Sequence, residues 1–371
     1  MSDGLAIPTA PDALTPAWLT DALRAGGVIG ADTRVTAVSQ ESLGQGAGFI
    51  GQLARLTPTY EGPADGAPKT LIAKMPALDP GAREVAAMYG LYEREYRFYR
   101  ELADQIAFRT ARCYYSAGDA EKAQYILLLE DLGATGHAGD QVQGCTDDEA
   151  RVVLRHLALH HAQWWGADRL DRVPWLDLGI DLVAGAMQQA YPLSWARAQE
   201  LFGSLMPAEI NDVLPGLGER LVTLMEPFRG ASFETMAHGD FRLDNMFFGN
   251  AGSGYELAVL DWQSPSRSWG AYDISYFLYG NVDTATRRAH EMDWLREYHN
   301  TLVANGVTGY AFDDLMRDYR SSLLVSLGIF VVNGATLDPA NERGKALFDL
   351  FFDRLSAAIM DLDALALLPA P

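Results

Sequence analysis

Cysteine is scarce in this chain. Its 371 residues include two cysteines, Cys113 and Cys145, and neither belongs to a Cys-x-x-Cys pair. Without such a pair no zinc motif is evident, and two cysteines do not indicate a disulfide framework.

Long apolar runs and a secretory signal are also missing. The longest apolar stretch, 323–332, is shorter than the roughly 20 residues that cross a bilayer, and we interpret it as a buried core helix. Residues 1–13 contain no basic segment followed by an apolar one, so we predict no signal peptide. We therefore expect a cytoplasmic protein that does not insert into membranes.

Positive charge is in short supply. The chain has 29 Lys and Arg against 49 Asp and Glu, a formal charge of −20. Such a protein repels nucleic acids and anionic lipid surfaces, so we expect neither as a partner. A phosphate-bearing ligand would have to be held by local cations, backbone N–H groups and a bound metal ion.

The most informative stretch is His-Gly-Asp-Phe-Arg-Leu-Asp-Asn at 238–245. Its His-x-Asp-x-x-x-x-Asn spacing, ending at Asn245, is that of the kinase catalytic loop. The apolar run 255–260 predicts a strand that ends at Asp261. Carboxylate and carboxamide oxygens suit Mg²⁺, so these residues predict an all-oxygen metal site beside an ATP pocket and an acceptor pocket.

Upstream, the pattern predicts a helix over 15–25, capped by Thr15, and five strands. The predicted strands cover 35–43, 52–57, 69–77, 112–116 and 123–129. Glycines between the first two strands, including Gly46 and Gly48, could bring backbone N–H groups close to phosphates. An ordinary hairpin turn is the alternative interpretation.

Lys74 stands within the apolar register of the strand 69–77. A buried Lys needs a partner, because an unpaired buried charge is costly. The predicted helix 83–103 places Glu95 on its apolar face, so we predict a Lys74–Glu95 ion pair. The alternative is a Lys at a sheet edge with its head in water.

Four further patterns predict a connection after a strand, two helix caps and the role of a histidine pair. The strand 123–129 runs into Glu130 and Leu132, which could form an adenine-binding hinge or only a strand end. Thr146 begins a predicted helix with capping-box spacing. His156 and His160 lie four residues apart, but no third metal ligand accompanies them, so packing is the favoured interpretation. Asp273 is predicted to cap a helix.

Taken in order, these stretches resemble the aminoglycoside phosphotransferase/choline kinase superfamily, and within it the ecdysteroid kinase-like group. The resemblance rests on 72–74, 94–99, 129–132, 159–165, 238–245 and 261–262, and covers about residues 40 to 280. It implies an α+β, bilobal protein-kinase-like fold. An N-terminal lobe (1–131) with an antiparallel sheet plus helix would bind the nucleotide, and a larger, mostly helical C-terminal lobe (132–371) would bind the acceptor.

The resemblance also implies residue roles. Asp240 would orient and deprotonate an acceptor hydroxyl, and Asn245 and Asp261 would bind Mg²⁺. Arg242 would lie near the γ-phosphate, although a salt bridge with Asp244 is an equal alternative. The implied nucleotide-binding residues are Lys74, Glu95, Gly46, Gly48, Glu130 and Leu132. His238 is expected to brace the loop.

Some features depart from protein kinases. Asp261 is followed by Trp-Gln rather than Phe-Gly, and no activation segment is evident before Asp273. A protein substrate is therefore not expected. The predicted function is ATP- and Mg²⁺-dependent phosphorylation of a small, largely apolar molecule such as a steroid, terpenoid or aromatic alcohol. Hydroxyacyl thioesters and aminoglycosides are alternative acceptors, and a catalytically inactive pseudokinase is the alternative from another class.

Overall fold

The computed structural model describes residues 4–43, 51–230, 233–338 and 340–370. Its helices are α1 (Pro16–Ala25), α2 (Pro80–Met88), α3 (Leu91–Glu101), α4 (Asp147–Gln163), α5 (Ala167–Leu170), α6 (Gly179–Gln189), α7 (Tyr191–Phe202), α8 (Ala208–Val213), α9 (Leu217–Met225), α10 (Ala271–Asn281), α11 (Thr284–Ala304), α12 (Phe312–Ala335) and α13 (Glu342–Asp361). Its strands are β1 (Arg34–Leu43), β2 (Gly51–Glu61), β3 (Leu71–Pro76), β4 (Cys113–Asp119), β5 (Gln124–Glu130), β6 (Gly136–Ala138), β7 (Glu234–Ala237), β8 (Met246–Gly249), β9 (Leu257–Val259) and β10 (Ser266–Trp269).

The chain divides into two compact units. The first is Met1–His137 with Gly249–Ser264, and the second is Ala138–Phe248 with Pro265–Pro371. The sequence predicts a lobe boundary between residues 131 and 132, which assigns residues 249–264 to the second lobe. Long-range contacts account for the difference: Val259 N–H donates to the Arg109 carbonyl at 2.8 Å, and the Trp262 ring stacks on Phe98.

A five-stranded sheet forms the body of the first unit, in the order β1-β2-β3-β5-β4. Every neighbouring pair is antiparallel, and Lys74 on β3 lies opposite Leu53 of β2 and Leu127 of β5. The five predicted strands are confirmed, although β2 extends to Glu61. Because β3 is central, Lys74 is a buried Lys rather than an edge residue.

Helix α1 begins and ends as its sequence predicts. Thr15 accepts a hydrogen bond from Trp18 N–H at 3.2 Å, and Pro16 occupies the first helical turn. The buried face of α1 contributes Leu19 and Leu23 to the core that underlies the sheet.

The prediction of one helix over 83–103 is wrong. Two helices, α2 and α3, occupy this stretch, and Gly90 between them has a left-handed φ of 63°. Glycine adopts this conformation without the steric penalty that a Cβ imposes, so the chain can turn there. The restart places Glu95 and Phe98 on the buried side of α3.

The second unit is mainly helical. The capping box predicted at Thr146 is confirmed: Thr146 and Glu149 exchange hydrogen bonds at the start of α4. The apolar stretch 323–332 lies in α12 and is mostly buried. Within the described residues, the helices fall short of the combined length and apolarity that a bilayer crossing requires. The α+β prediction, with an antiparallel N-terminal sheet followed by a larger helical part, is confirmed.

Candidate active site

In the first unit, one lysine joins two carboxylates. Lys74 Nζ donates to Glu95 Oε1 and to Asp261 Oδ1, each at 2.8 Å. Lys74 is 8% exposed and Glu95 is 1% exposed. The predicted Lys74–Glu95 ion pair is confirmed, and Asp261 is a second partner that the sequence did not indicate.

This arrangement keeps Lys74 charged. Burial alone lowers the pKa of the Lys74 ammonium, but the charges of Asp261 and Glu95 outweigh it and raise the pKa above its usual value. Burial raises the pKa of the Glu95 carboxyl, against the opposing charge of Lys74. The ammonium is therefore fixed in place and ionised, which suits it to bind an anion.

Asp261 follows β9 in an uncommon backbone conformation. Its φ is 61°, a left-handed value that Asp adopts more readily than most residues. The next residue anchors the turn: the Trp262 ring lies 4.2 Å from that of Phe98, nearly parallel, and its Nε1 donates to the Val259 carbonyl. Gln263 donates to the other Asp261 oxygen at 3.2 Å.

The remaining predicted nucleotide-binding residues have mixed outcomes. Gly46 and Gly48 lie outside the described residues. Glu130 ends β5, and its carboxylate accepts hydrogen bonds from the Arg109 side chain and the Arg112 N–H. Leu132 is buried. The Glu130 side chain therefore has a structural role, and any contact with a base would come from the backbone.

In the second unit, the buried strand β7 leads directly into the loop 238–245. Asp240 Oδ2 accepts from Arg242 Nε at 3.1 Å and from Asn245 Nδ2 at 3.0 Å. Asp240 Oδ1 accepts from the Tyr276 hydroxyl at 2.9 Å. Three predicted site residues, Asp240, Arg242 and Asn245, are thus in direct contact.

The carboxyl of Asp240 is held in its ionised form. Burial raises its pKa, but Arg242, His238 and the Tyr276 hydrogen bond outweigh that effect and lower the pKa below its usual value. Arg242 also contacts Asp244 at 3.2 Å. The salt bridge between Arg242 and Asp244 is thus present, and Arg242 also contacts Asp240. Its position near the γ-phosphate stays a prediction.

Side chains of helix α10 bond the backbone of the loop 238–245. Asp273 accepts from the backbone N–H groups of His238 and Gly239, at 2.7 and 3.0 Å. Asn281, at the end of the same helix, accepts from Leu243 N–H at 2.9 Å. The prediction that Asp273 caps the helix is wrong, because the N-cap position is Gly270 and the Asp273 carboxylate bonds the loop instead.

Three histidines make further hydrogen bonds around the loop 238–245 and helix α10. Asp240 N–H donates to His238 Nδ1 at 3.3 Å, consistent with a bracing role. His160 Nε2 lies 3.0 Å from the Met236 carbonyl, as packing rather than metal binding predicts. His161, which the sequence did not single out, lies between the Tyr298 hydroxyl and Asp273, at 2.7 and 3.3 Å.

Comparison with known proteins identifies the family. A sequence model of the ecdysteroid kinase-like family matches residues 45–164 and 178–307. The chain belongs to the ecdysteroid kinase-like family. The resemblance predicted from the sequence is confirmed, and membership supports a small-molecule phosphotransferase.

Solved structures agree with this assignment at the level of the fold. A candidate aminoglycoside phosphotransferase from Ralstonia eutropha aligns with a TM-score of 0.58 and 18% identity, covering 98% of this chain and 100% of its own. A mutant aminoglycoside 2'-phosphotransferase-IIIa in complex with GDP aligns with a TM-score of 0.52 and 12% identity, covering 89% and 92%. No curated protein matches the chain.

Proposed function

We propose that this ecdysteroid kinase-like protein transfers the γ-phosphoryl group of ATP, with Mg²⁺, to a hydroxyl of a small and largely apolar molecule. The observation that carries the proposal is the Asp240 carboxylate, fixed by Arg242, Asn245 and Tyr276 in a loop with kinase spacing. Phosphoryl transfer depends mainly on positioning and charge neutralisation, and this loop offers both.

Asp240 is the proposed base. It accepts the proton of the acceptor hydroxyl while the acceptor oxygen forms a bond to the γ-phosphorus. The bond between that phosphorus and the bridging oxygen breaks, and ADP leaves with the electron pair. The low pKa of Asp240 keeps it deprotonated, and Arg242 is the proposed cation beside the transferred group.

Lys74 is the proposed ligand of the α- and β-phosphates. Its ammonium is the positive end of the buried cluster with Glu95 and Asp261. Glu95 would keep Lys74 oriented while the nucleotide binds. Glu130, Leu132 and the glycines Gly46 and Gly48 stay proposed contacts of the nucleotide.

Asp261 and Asn245 are the proposed Mg²⁺ ligands, and their chemistry fits the ion. Asp261 offers carboxylate oxygens. Asn245 Nδ2 donates hydrogen bonds to the backbone carbonyl and to the carboxylate of Asp240. The amide oxygen of Asn245 is therefore the proposed ligand atom. Mg²⁺, when bound, neutralises the charge of the phosphate oxygens.

Aromatic residues beside Asp240 support an apolar acceptor. Tyr272 and Tyr276 lie one helical turn apart on α10, and their rings are 6.4 Å apart. Tyr276 also packs near Phe330 and Phe351. Tyr276, Phe330 and Phe351 are buried, and Tyr272 is partly exposed. Tyr272 is therefore the proposed aromatic contact for a steroid, terpenoid or aromatic alcohol.

A phosphoryl-transfer screen tests the proposal. The purified protein, Mg²⁺ and either ATP or GTP would be mixed with sterols, terpenoid and aromatic alcohols, hydroxyacyl thioesters, choline and aminoglycosides, and product mass measured. Asp240→Ala should abolish transfer, whereas Asp293→Ala, an equal change on an exposed part of α11, should not. Nucleotide binding without any Asp240-dependent transfer, including transfer to water, would point to a pseudokinase. Absence of nucleotide binding would refute the proposal.

A further inference from the structure

The two oxygens of Asp240 have unequal partners. Oδ2 accepts from both Arg242 and Asn245, and Oδ1 accepts from the Tyr276 hydroxyl. A carboxylate oxygen has two lone pairs for in-plane hydrogen bonds. The contacts from these three side chains therefore fill the capacity of Oδ2 and leave one lone pair on Oδ1.

Tyr276 has little freedom to hold any other atom. Its ring lies within about 6 Å of Tyr279, Phe330 and Phe351, at centroid distances of 5.8, 5.9 and 6.2 Å, and the residue is 8% exposed. Three residues earlier on α10, Asp273 bonds the backbone of the catalytic loop. Helix and loop are thus tied together at two points, which fixes the hydroxyl against Oδ1.

The proton of Tyr276 stays on the phenol. Burial and the neighbouring Asp240 charge raise the pKa of the Tyr276 hydroxyl well above its usual value. Tyr276 can therefore donate a hydrogen bond throughout a reaction cycle without exchanging its own proton.

We propose that Tyr276 is a positioning residue that makes Oδ1 of Asp240 the oxygen that receives the acceptor's proton. The inference rests on the proposed function. The acceptor hydroxyl donates to the remaining lone pair of Oδ1, its proton moves there as its oxygen bonds to phosphorus, and ADP leaves with the electrons of the broken bond. Tyr276 holds the carboxylate so that this lone pair faces the acceptor.

A neighbouring tyrosine provides a matched control. Tyr279 lies on the same helix, is fully buried, and packs near the same two phenylalanines, Phe330 and Phe351. Its hydroxyl does not contact Asp240 within the described residues. If Tyr276 only fills space, removing either hydroxyl should have the same effect.

The test compares Tyr276→Phe, Tyr279→Phe and a protein in which 3-fluorotyrosine, which keeps the hydroxyl, replaces Tyr276. Each is assayed for Mg²⁺-ATP hydrolysis, with water as the acceptor, and for transfer to the alcohol that the screen identifies. kcat, the KM for ATP and the melting temperature are measured for all three proteins and for Asp240→Ala.

We expect Tyr276→Phe to lower kcat by roughly 10- to 100-fold, the loss typical of a hydrogen bond to a charged group. The KM for ATP should stay unchanged, 3-fluorotyrosine should restore kcat, and Tyr279→Phe should keep it. Equal kcat values for Tyr276→Phe and Tyr279→Phe, while Asp240→Ala is inactive, would overturn this inference alone. Unchanged turnover in Asp240→Ala would overturn the proposed function and this inference with it.

Discussion

Asp273 accepts the backbone N–H of His238 at 2.7 Å, although 35 residues separate them in sequence. The same carboxylate accepts the next N–H, that of Gly239, and contacts His161. Asp273 is fully buried. A buried acidic side chain on α10 thus sets the backbone path from which Asp240 projects.

Replacing Asp273 should damage both stability and turnover. Asp273→Ala leaves two N–H groups without their acceptor, at a cost of about 1–3 kcal/mol for each that stays buried. Asp273→Asn retains one acceptor oxygen and should be milder. Urea unfolding gives the stability, and kcat gives the effect on the loop. Full stability of Asp273→Ala would show that the carboxylate is not needed to hold the loop.

Lys74→Met should separate stability from nucleotide binding. The variant leaves Glu95 buried beside a neutral side chain, and breaking a buried ion pair in this way costs about 3–5 kcal/mol. Asp261 also loses its Lys74 partner but is more exposed than Glu95. Adding Glu95→Gln removes the more deeply buried of the two unpaired carboxylates and should recover most of that loss, without restoring ATP affinity. Thermal unfolding at neutral pH and titration with a fluorescent ATP analogue measure the two effects. If the double variant is as unstable as Lys74→Met, the pair is not the cause.

Asp261→Ala tests the proposed metal ligand. We expect the variant to lose most of the increase in nucleotide affinity that Mg²⁺ provides, because a carboxylate ligand of the ion is gone. Gln263→Ala is the control, since Gln263 contacts Asp261 but leaves the carboxylate in place. Calorimetric titration with and without Mg²⁺ gives the comparison. An unaltered Mg²⁺ effect in Asp261→Ala would remove this residue from the metal site.

Asp318 should make the protein less stable as pH rises through mildly acidic values. Burial raises the pKa of its carboxyl from 3.8 to about 6, despite contacts with Arg317 and Tyr310. Below pH 3.8 the Asp318 carboxyl is protonated in both the folded and the unfolded state, so its burial costs no charge desolvation. Above the folded pKa it must be charged inside the protein, so stability falls between about pH 4 and pH 6.

The matching experiment compares the native chain with Asp318→Asn by urea unfolding at several pH values. A difference of about two pKa units corresponds to about 3 kcal/mol. The stability advantage of the native chain over Asp318→Asn should therefore shrink by about that amount from pH 4 to pH 7. A constant difference would mean that Asp318 titrates normally in the fold.

Local pattern was enough for several elements. Helical spacing placed Glu95 on a buried face, and the apolar register of β3 placed Lys74 inside, so their ion pair could be predicted. Capping chemistry located the start of α1 at Thr15 and of α4 at Thr146. In each case residues near in sequence decide the outcome.

Contacts between distant residues could not be predicted. Asp261 is 187 residues from Lys74, and Tyr276 is 36 residues from Asp240. Helix periodicity continued smoothly across Gly90, and its left-handed φ has no signal beyond the presence of glycine. These features depend on how the chain packs, which a one-dimensional pattern does not contain.

The indole stacked on Phe98 limits which conformers of the Asp261 turn are occupied. Swinging that turn outward would expose Trp262, which is fully buried. Burying about 150–250 Å² of an aromatic side chain is worth about 4–6 kcal/mol. At equilibrium, at most about one molecule in a thousand would then adopt the outward conformer of the turn. An inhibitor that requires it would lose a corresponding factor, about a thousandfold, in apparent affinity. An inhibitor should therefore be designed against the turn in which Trp262 is stacked on Phe98.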